Sequence, residues 1–554
     1  MQKSYDNLQS PIPISFKKLL SDWATAVSHP QPPTYTGPDA PLTQLTDDSR
    51  AVQPGACFVA RVRLRGDGSV WSDAHRYIPQ AIDKGARVII AQRPAAELGF
   101  AIPEDVVYLT VPDTAVTLAW LAAAWYHFPS QQLVVIGITG TDGKSSSAQI
   151  IFSILQAAGL RAGMLSTIKA VIGEEEEPLA LHVTTPEAPV IQQYLRRMVD
   201  AGLTHVVLET TSHALALGRV TAVAYDIAAV TNITHEHLDI HGSWENYFAA
   251  KRRLFEMVGS AGAWKLDGGN GYKQAVVKTA VLNRDDTSFA RLSQVDVPRQ
   301  LTYGLHNTAD FRATDIAYTP SGTQFTLHPR RQSSPRRWLA NSTCITCWRQ
   351  RPLPMPCTSP ETIQHGLQHV PPISGRMERI NRGQPFQVIV DFAHTPISLE
   401  KAIGVARKMI AGRKGARIIA VFGSAGQRDV EKRRLMAAVS VRDADRTILT
   451  AEDPRTESLD DILDLMAVGA RSAGGIEGET FWRIPDRGQA IHFALNMALP
   501  DDIVLICGKG HEQSMCFGST EYPWDDRQAT RLALDAFLAN QPMPDLGLPT
   551  GTGQ

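Results

Sequence analysis

An α/β fold of three successive units, the middle one a doubly wound sheet around a glycine loop, is predicted by three observations. Short apolar runs alternate with helix-like stretches over nearly the whole chain, the pattern of buried parallel strands and their crossover helices. One run, Leu133-Val134-Val135-Ile136, leads into Gly137-Ile-Thr-Gly140-Thr141-Asp142-Gly143-Lys144-Ser145-Ser146 and then into the helix-like stretch from Ala148 to Leu155. At 554 residues the chain exceeds what one core supports and suggests roughly three or four domains of about 150 residues each.

The elements follow in order. Residues 1–128 read as a small α/β unit, with apolar runs at 57–60 and 88–91 and a helical segment at 115–127 that ends before Pro129. Residues 129–373 form the central unit, with buried parallel strands at 133–139, 204–209 and 227–232. Residues 374–544 form a Rossmann-like unit with strands at 386–391, 416–422, 446–450 and 502–507. Each strand ends at polar or glycine residues, where open α/β sheets keep their ligands. Residues 545–554 read as a loose tail.

Net charge of −1 and a pI near 7.0 argue against a nucleic-acid or membrane-surface protein, which needs a concentrated positive field. No run approaches the roughly 18 apolar residues of a membrane span, and the first residues lack a signal peptide's apolar core. Six cysteines in a chain of this length do not make a disulfide scaffold, so a cytoplasmic location is expected.

The glycine loop is where a triphosphate is expected to sit. Glycines let backbone amides turn onto phosphates, Lys144 brings a mobile positive charge, Ser145 offers a hydroxyl to Mg²⁺, and the helix N-terminus adds its dipole. The spacing departs from the usual phosphate loop, with Gly137 one residue too far from Gly143 and Gly140 too near. Glu209 closes a central strand, and His237 follows another in Thr-Asn-Ile-Thr-His235-Glu-His237-Leu-Asp-Ile-His241-Gly. Carboxylate, imidazole and the loop hydroxyl are candidates to share the Mg²⁺ that ATP brings, although a hard cation prefers oxygen. The three histidines fit no standard zinc spacing and no cysteine accompanies them. Lys251, by itself, reads equally well as a solvated helix lysine.

Taken together, the motifs resemble the Mur ligase family, and most of all the MurE type, which adds the third residue of the peptidoglycan stem peptide. The matching segments are Asp48-Ser49-Arg50 to Pro54-Gly55, the glycine loop, Thr184-Thr185-Pro-Glu187, Glu209-Thr-Thr211-Ser-His-Ala-Leu-Ala-Leu-Gly-Arg219, and His237-Leu-Asp-Ile-His-Gly. Later come Gly375-Arg-Met-Glu378, Asp391-Phe-Ala-His394-Thr-Pro396, Gln427-Arg428-Asp-Val-Glu-Lys-Arg433, Glu452-Asp453-Pro454-Arg455 and Gly508-Lys-Gly-His-Glu512. They occur in the family's order across nearly the whole chain.

The resemblance implies that the N-terminal unit grips the UDP end of the substrate near Ser49, Arg50 and His75. It implies that residues 140–146 hold ATP, while Thr184, Thr185, Thr211 and Arg219 face the muramoyl dipeptide. Lys144, Glu209, His237 and Lys251 are the implied catalytic set, with Ser145, Glu209, His237 and a carbamylated Lys251 around Mg²⁺. Asp391 and His394 would close over the nucleotide; Arg428, Glu452, Asp453, Pro454, Arg455, Gly508 and Glu512 would select the incoming amino acid. A substrate carboxylate would attack the γ-phosphate, and the acyl phosphate would be taken by an amine. Closure of a three-domain enzyme, expected as a monomer, would shield that intermediate from water. The Arg455 guanidinium suits the second carboxylate of meso-diaminopimelate. Glu452-Asp453 replaces the family's Asp-Asn, which adds a negative charge and loses an amide donor, so lysine and ornithine stay open.

Residues 330–357 match neither helix nor strand periodicity and carry three of the six cysteines, including the pair Cys344 and Cys347. Where the family has Phe-Asn-Val-Tyr-Asn and an alanine-rich helix, this chain has arginines, prolines and tryptophans. Back-translation of residues 338–357 in a shifted frame permits Phe-Asn-Val-Tyr-Asn followed by an alanine run, so two compensating frameshifts would account for the segment. The gene's nucleotides test this: a shifted frame without Phe-Asn-Val-Tyr-Asn rules it out. A catalytically impaired nucleotide-binding relative and another amide ligase of the superfamily, of the cyanophycin or folylpolyglutamate synthetase kind, remain as rivals.

Overall fold

The computed structural model describes residues 8–64, 69–179, 185–234, 241–259, 264–265, 270–319, 322–329, 336–341 and 359–550. The chain separates into two compact units, residues 1–313 with 328–335 and 349–366 in one, and 314–327, 336–348 and 367–554 in the other.

The first unit opens with a five-stranded sheet in the order Leu8–Ser15, Pro41–Thr46, Ala56–Val59, Val88–Ala91, Val107–Thr110, parallel except for its first pair. The runs expected at 57–60 and 88–91 are central strands, apolar throughout because both faces are covered. The helix Thr114–Trp125 is buried on nearly every side, because it packs on Phe16–Ala26 of this sheet's layer and on Ala188–Asp200 of the next. Asp113 caps it through the amides of Ala115 and Val116.

The same unit then builds a larger sheet in the order Glu175–Pro178, Lys169–Ile172, Ala162–Leu165, His205–Glu209, Val134–Thr139, Ile227–Val230, Thr279–Asn283, Arg299–Gly304. From Ala162–Leu165 onward neighbouring strands are parallel, so their carboxyl ends share one rim. After Val134–Thr139 the chain first builds outward on one side and later on the other, which makes this strand the topological switch point, where a crevice opens.

One buried group at the opposite rim sets a pH limit. His205 starts its strand 2% exposed, with its ring edge on Tyr272 (centroids 5.3 Å apart), and burial lowers its pKa to about 4 against some pull upward from Asp226. The unfolded chain, with an ordinary histidine near 6.5, therefore binds the proton more readily. Its stabilising contribution is complete above about pH 6.5 and is lost as pH falls toward 4. Unfolding free energy should drop by about 2 kcal/mol from this group between pH 6.5 and 5, and His205→Phe should remove that slope in urea titrations.

The second unit carries a six-stranded sheet ordered Glu378–Ile380, Gln387–Asp391, Ile503–Cys507, Ile418–Phe422, Arg446–Leu449, Phe481–Arg483, parallel except for the first pair. Its strands lie where the apolar runs predict them. Two readings are corrected. Residues through Thr550 are not a loose tail: Met543 and Leu548 are buried against this unit's core, and the Thr550 hydroxyl donates to Asp486 at 2.7 Å. Within the segment expected to lack periodic structure, Arg336–Asn341 is a strand paired antiparallel with residues 322–327. Residues 330–335 and 342–357, with Cys344 and Cys347, lie outside the described residues. No helix among the described residues is long and apolar enough to cross a membrane.

Candidate active site

The glycine loop leaves Val134–Thr139 at the shared rim and enters the helix Lys144–Ala157. Gly140 has φ +147°, and a Cβ there would lie 1.7 Å from Thr231 Oγ1; Gly143 has φ +80°. Only glycine fits both the conformation and the space. The loop is fastened to the end of the neighbouring strand: the Thr141 amide donates to the Asn232 carbonyl at 2.7 Å, and the Asp142 amide to Asn232 Oδ1 at 3.2 Å.

Two ammonium groups converge on one loop carbonyl. Lys144 Nζ donates to Gly140 O at 3.1 Å and to Thr141 O at 2.8 Å, and Lys251 Nζ donates to Gly140 O at 2.7 Å. Lys251 is 1% exposed on the helix Trp244–Gly259, which replaces the reading of a solvated lysine. Its Nζ lies 4.5 Å over the Tyr247 ring, and the Tyr247 hydroxyl is 2.9 Å from Thr141 Oγ1. Positive charge is thus concentrated at the loop beside a helix N-terminus, which suits a polyanion.

Across the rim, Glu209 closes its strand 2% exposed. Its Oε1 accepts from Ser145 Oγ at 3.1 Å and its Oε2 from the Thr167 amide at 2.9 Å. One hydroxyl and one carboxylate at a phosphate loop form an oxygen donor set that suits Mg²⁺. From Glu209 a polar chain continues: Thr185 Oγ1 donates to the Glu209 carbonyl at 3.0 Å and lies 3.1 Å from Thr211 Oγ1, and Arg219 Nη1 donates to the Thr185 carbonyl at 3.0 Å. Thr211 also caps the short helix Ser212–Ala216.

Thr184, His235 and His237 lie outside the described residues. His241 is buried, its Nε2 is 3.1 Å from Ser212 Oγ, and its ring stacks on His213. Among the described residues no group of three or more potential ligands is arranged for a metal ion. Ser49 and His75 are buried and Arg50 is exposed in the part of the chain around the first sheet. Ser49 Oγ donates to Gln80 Oε1, exposed Arg50 pairs with Asp48, and His75 is committed on both ring nitrogens, Nδ1 to Asp73 at 2.6 Å and Nε2 to the Gln92 and Arg93 amides at 3.1 Å.

In the second unit the remaining residues gather at the carboxyl rim of its sheet. Asp391 shapes the rim by accepting from the Met377 amide at 2.7 Å and the Ala393 amide at 2.8 Å, and His394 Nδ1 lies 2.9 Å from the Phe392 carbonyl. Arg428 is exposed. Arg455 has φ +54°, a strained conformation for a side-chain-bearing residue, held by hydrogen bonds from its amide to Cys516 O and from the Gly518 amide to its own carbonyl. The hairpin Ser514–Phe517 and Thr520–Pro523 therefore sets where its guanidinium starts. Beside it the buried Lys509 ammonium bridges Asp453 at 2.9 Å and Glu512 at 2.6 Å; burial alone would discharge it, but the two carboxylates raise its pKa. Glu452 is buried with Oε2 unpartnered among the described residues, and burial raises its pKa, only partly offset by Lys432 and Lys509. Gly508 closes on it at φ +114°, where a Cβ would come 3.1 Å from that oxygen.

Sequence reasoning misses the groups that hold this rim. Arg487, wholly buried, makes a two-point contact with Asp526 at 2.7 Å for both bonds and donates to the carbonyls of Ala451 at 3.0 Å and Cys507 at 2.8 Å. Asn232 and Tyr247 play the corresponding part in the glycine loop. No local pattern signals any of the four, because each acts on residues distant in the chain.

Comparison with known proteins gives the family. Residues 138–336 match the Mur ligase middle domain and residues 375–510 the Mur ligase glutamate ligase domain. A UDP-N-acetylmuramyl-tripeptide synthetase of Roseiflexus sp. (strain RS-1) is 40% identical over 91% of this chain and 96% of its own. A UDP-N-acetylmuramoyl-L-alanyl-D-glutamate–2,6-diaminopimelate ligase of Bacillus licheniformis is 36% identical over 91% and 96%. A solved structure of a ligase with that latter name superposes with a TM-score of 0.58 at 26% identity, covering 95% of this chain and 100% of the other. With both domain signatures in order and relatives of this identity along nine-tenths of its length, the chain belongs to the Mur ligase family of amide-forming ligases.

Proposed function

We propose that this ligase adds meso-diaminopimelate as the third residue to UDP-N-acetylmuramoyl-L-alanyl-D-glutamate, consuming ATP, in cytoplasmic peptidoglycan synthesis. The observation that carries the reading is the phosphate loop with Lys144 and Lys251 on one carbonyl, joined through Ser145 and Glu209 to the Thr185, Thr211 and Arg219 chain. A nucleotide site and a polar path for a second substrate thereby meet at Glu209.

Lys144 neutralises phosphoryl oxygens as a substrate carboxylate oxygen bonds to the γ-phosphorus and the bond to ADP breaks. The amine then bonds to the acyl carbon, phosphate leaves, and the amine's proton is released. Ser145 and Glu209 are the residues that would hold Mg²⁺, with His237 as a further candidate; the bound ion draws charge off the transferring phosphoryl group. Lys251, once its ammonium gives up a proton, would bond to CO₂ and lose a second proton, exchanging a cation for a carbamate beside the loop. The reading includes three domains at 1–128, 129–373 and 374–544, a monomer, UDP contacts at Ser49 and Arg50, and acceptor contacts at Arg455, Gly508 and Glu512. The Asp453 and Glu512 carboxylates beside Arg455 favour a second reading, an acceptor with a cationic end such as lysine or ornithine.

Phosphate release with ATP, Mg²⁺ and UDP-muramoyl dipeptide tests this. Stimulation by meso-diaminopimelate supports the main reading, and stimulation by lysine or ornithine alone supports the second. Silence with all three acceptors in a folded protein overturns both and favours the impaired relative.

A further inference from the structure

One buried cation in the second unit meets two carboxylates, at the rim where the incoming amino acid is read to bind. Lys509 Nζ, on a side chain 2% exposed, contacts Asp453 Oδ1 at 2.9 Å and Glu512 Oε2 at 2.6 Å. The same Asp453 oxygen accepts from the Cys516 amide at 3.0 Å, and the Cys516 carbonyl accepts from the Arg455 amide at 2.9 Å. One hairpin residue therefore ties Asp453 and Arg455 through its two backbone groups, and Lys509 joins Glu512 to them. The guanidinium of Arg455 has no carboxylate partner among the described residues.

Charge decides what such a rim can take. Two carboxylates stand against two cations, Lys509 and Arg455, so the group is balanced, and burial of the neighbouring Glu452 works against a further negative charge by raising its pKa. A lone ammonium added here leaves positive charge in excess, whereas a group that carries an ammonium and a carboxylate together adds none. The distal end of meso-diaminopimelate is of the latter kind, because one carbon bears both; lysine and ornithine end in an ammonium alone. Its carboxylate finds Arg455 unengaged, and its ammonium finds Glu512, whose side chain is 42% exposed. Without Lys509 the same rim would set two carboxylates against one guanidinium, and a lone ammonium would restore the balance.

We propose that Lys509 is the positioning residue that sets acceptor choice: by engaging Asp453 and Glu512 from inside the protein it neutralises them, so that the rim takes a zwitterionic distal end and turns away a purely cationic one. This rests on the reading of meso-diaminopimelate as the acceptor and supplies a cause for it. The two carboxylates that favour lysine or ornithine are already matched by an internal ammonium.

The test is the ratio of kcat/KM for meso-diaminopimelate to kcat/KM for lysine, measured by phosphate release from the full chain with ATP, Mg²⁺ and UDP-muramoyl dipeptide. Lys509→Met keeps the buried stem and removes the charge, and should move the ratio toward lysine by about tenfold or more, with KM for lysine falling as KM for meso-diaminopimelate rises. A lysine that only held the fold together would, when removed, weaken both acceptors alike. Asp453→Asn removes one negative charge while its amide oxygen still accepts from Lys509 and from the Cys516 amide, and should move the ratio the other way by roughly threefold or more. If Lys509→Met does not fold, Asp453→Asn decides alone. A ratio that stays put in a folded variant, moves against these directions, or gives way to loss of both acceptors together overturns the proposal and leaves the acceptor reading standing. An unmodified protein that prefers lysine or ornithine overturns both.

Discussion

Replacing Glu209 with alanine is expected to lower turnover by roughly 10²–10³-fold, the scale for removing one preorganised charged group from a reacting centre. The carboxylate is 2% exposed and held from both sides, by Ser145 Oγ at 3.1 Å and the Thr167 amide at 2.9 Å. Glu209→Gln isolates the cause. Its amide oxygen accepts from Thr167 and its NH₂ donates to Ser145, so both contacts survive while the negative charge is lost. Loss of turnover by Glu209→Gln with an unchanged melting temperature would assign the effect to charge and support the proposed metal position. Steady-state phosphate release measures it, and activity within tenfold of the unmodified protein in both variants would remove Glu209 from the catalytic set.

The second large effect concerns stability. Arg487→Ala or Asp526→Ala should each cost about 3–5 kcal/mol, because either leaves an uncompensated charge in a site where both side chains are 0% exposed. In a unit of this size that lowers its calorimetric transition by roughly 10 °C. The double replacement Arg487→Met with Asp526→Leu should cost less than either single change, since no lone charge remains. Arg487 also holds the carbonyls of Ala451 and Cys507, the residues before Glu452 and Gly508, so below the transition KM for the amino acid should rise more than KM for ATP. Equal costs for single and double variants would show that packing volume, not charge pairing, dominates there.

How much of this was legible in the sequence depends on the range of the interaction. The glycine loop could be read because strand, loop and helix are consecutive, and Gly140 and Gly143 do adopt positive φ. Glu209 was singled out because a strand end marks a rim, and Asp391 through the motif that resembles the family's. His75 was placed near the UDP end by motif, yet both of its ring nitrogens are occupied by the first sheet's own groups. The tail beyond Asp545 read as loose because few residues there are apolar, although Leu548 and Thr550 find partners in a surface built elsewhere in the chain.

The sequence by itself determined the α/β class, the order of the strands along the chain and the phosphate loop, because periodicity, glycine conformation and apolar runs act between neighbours. Only the tertiary structure decided that Lys251 is buried against Gly140, that Arg61 meets Glu187, and that Arg487 pairs with Asp526. Those contacts span long stretches of sequence, and a charge's partner and solvation are fixed only when the chain has closed around it.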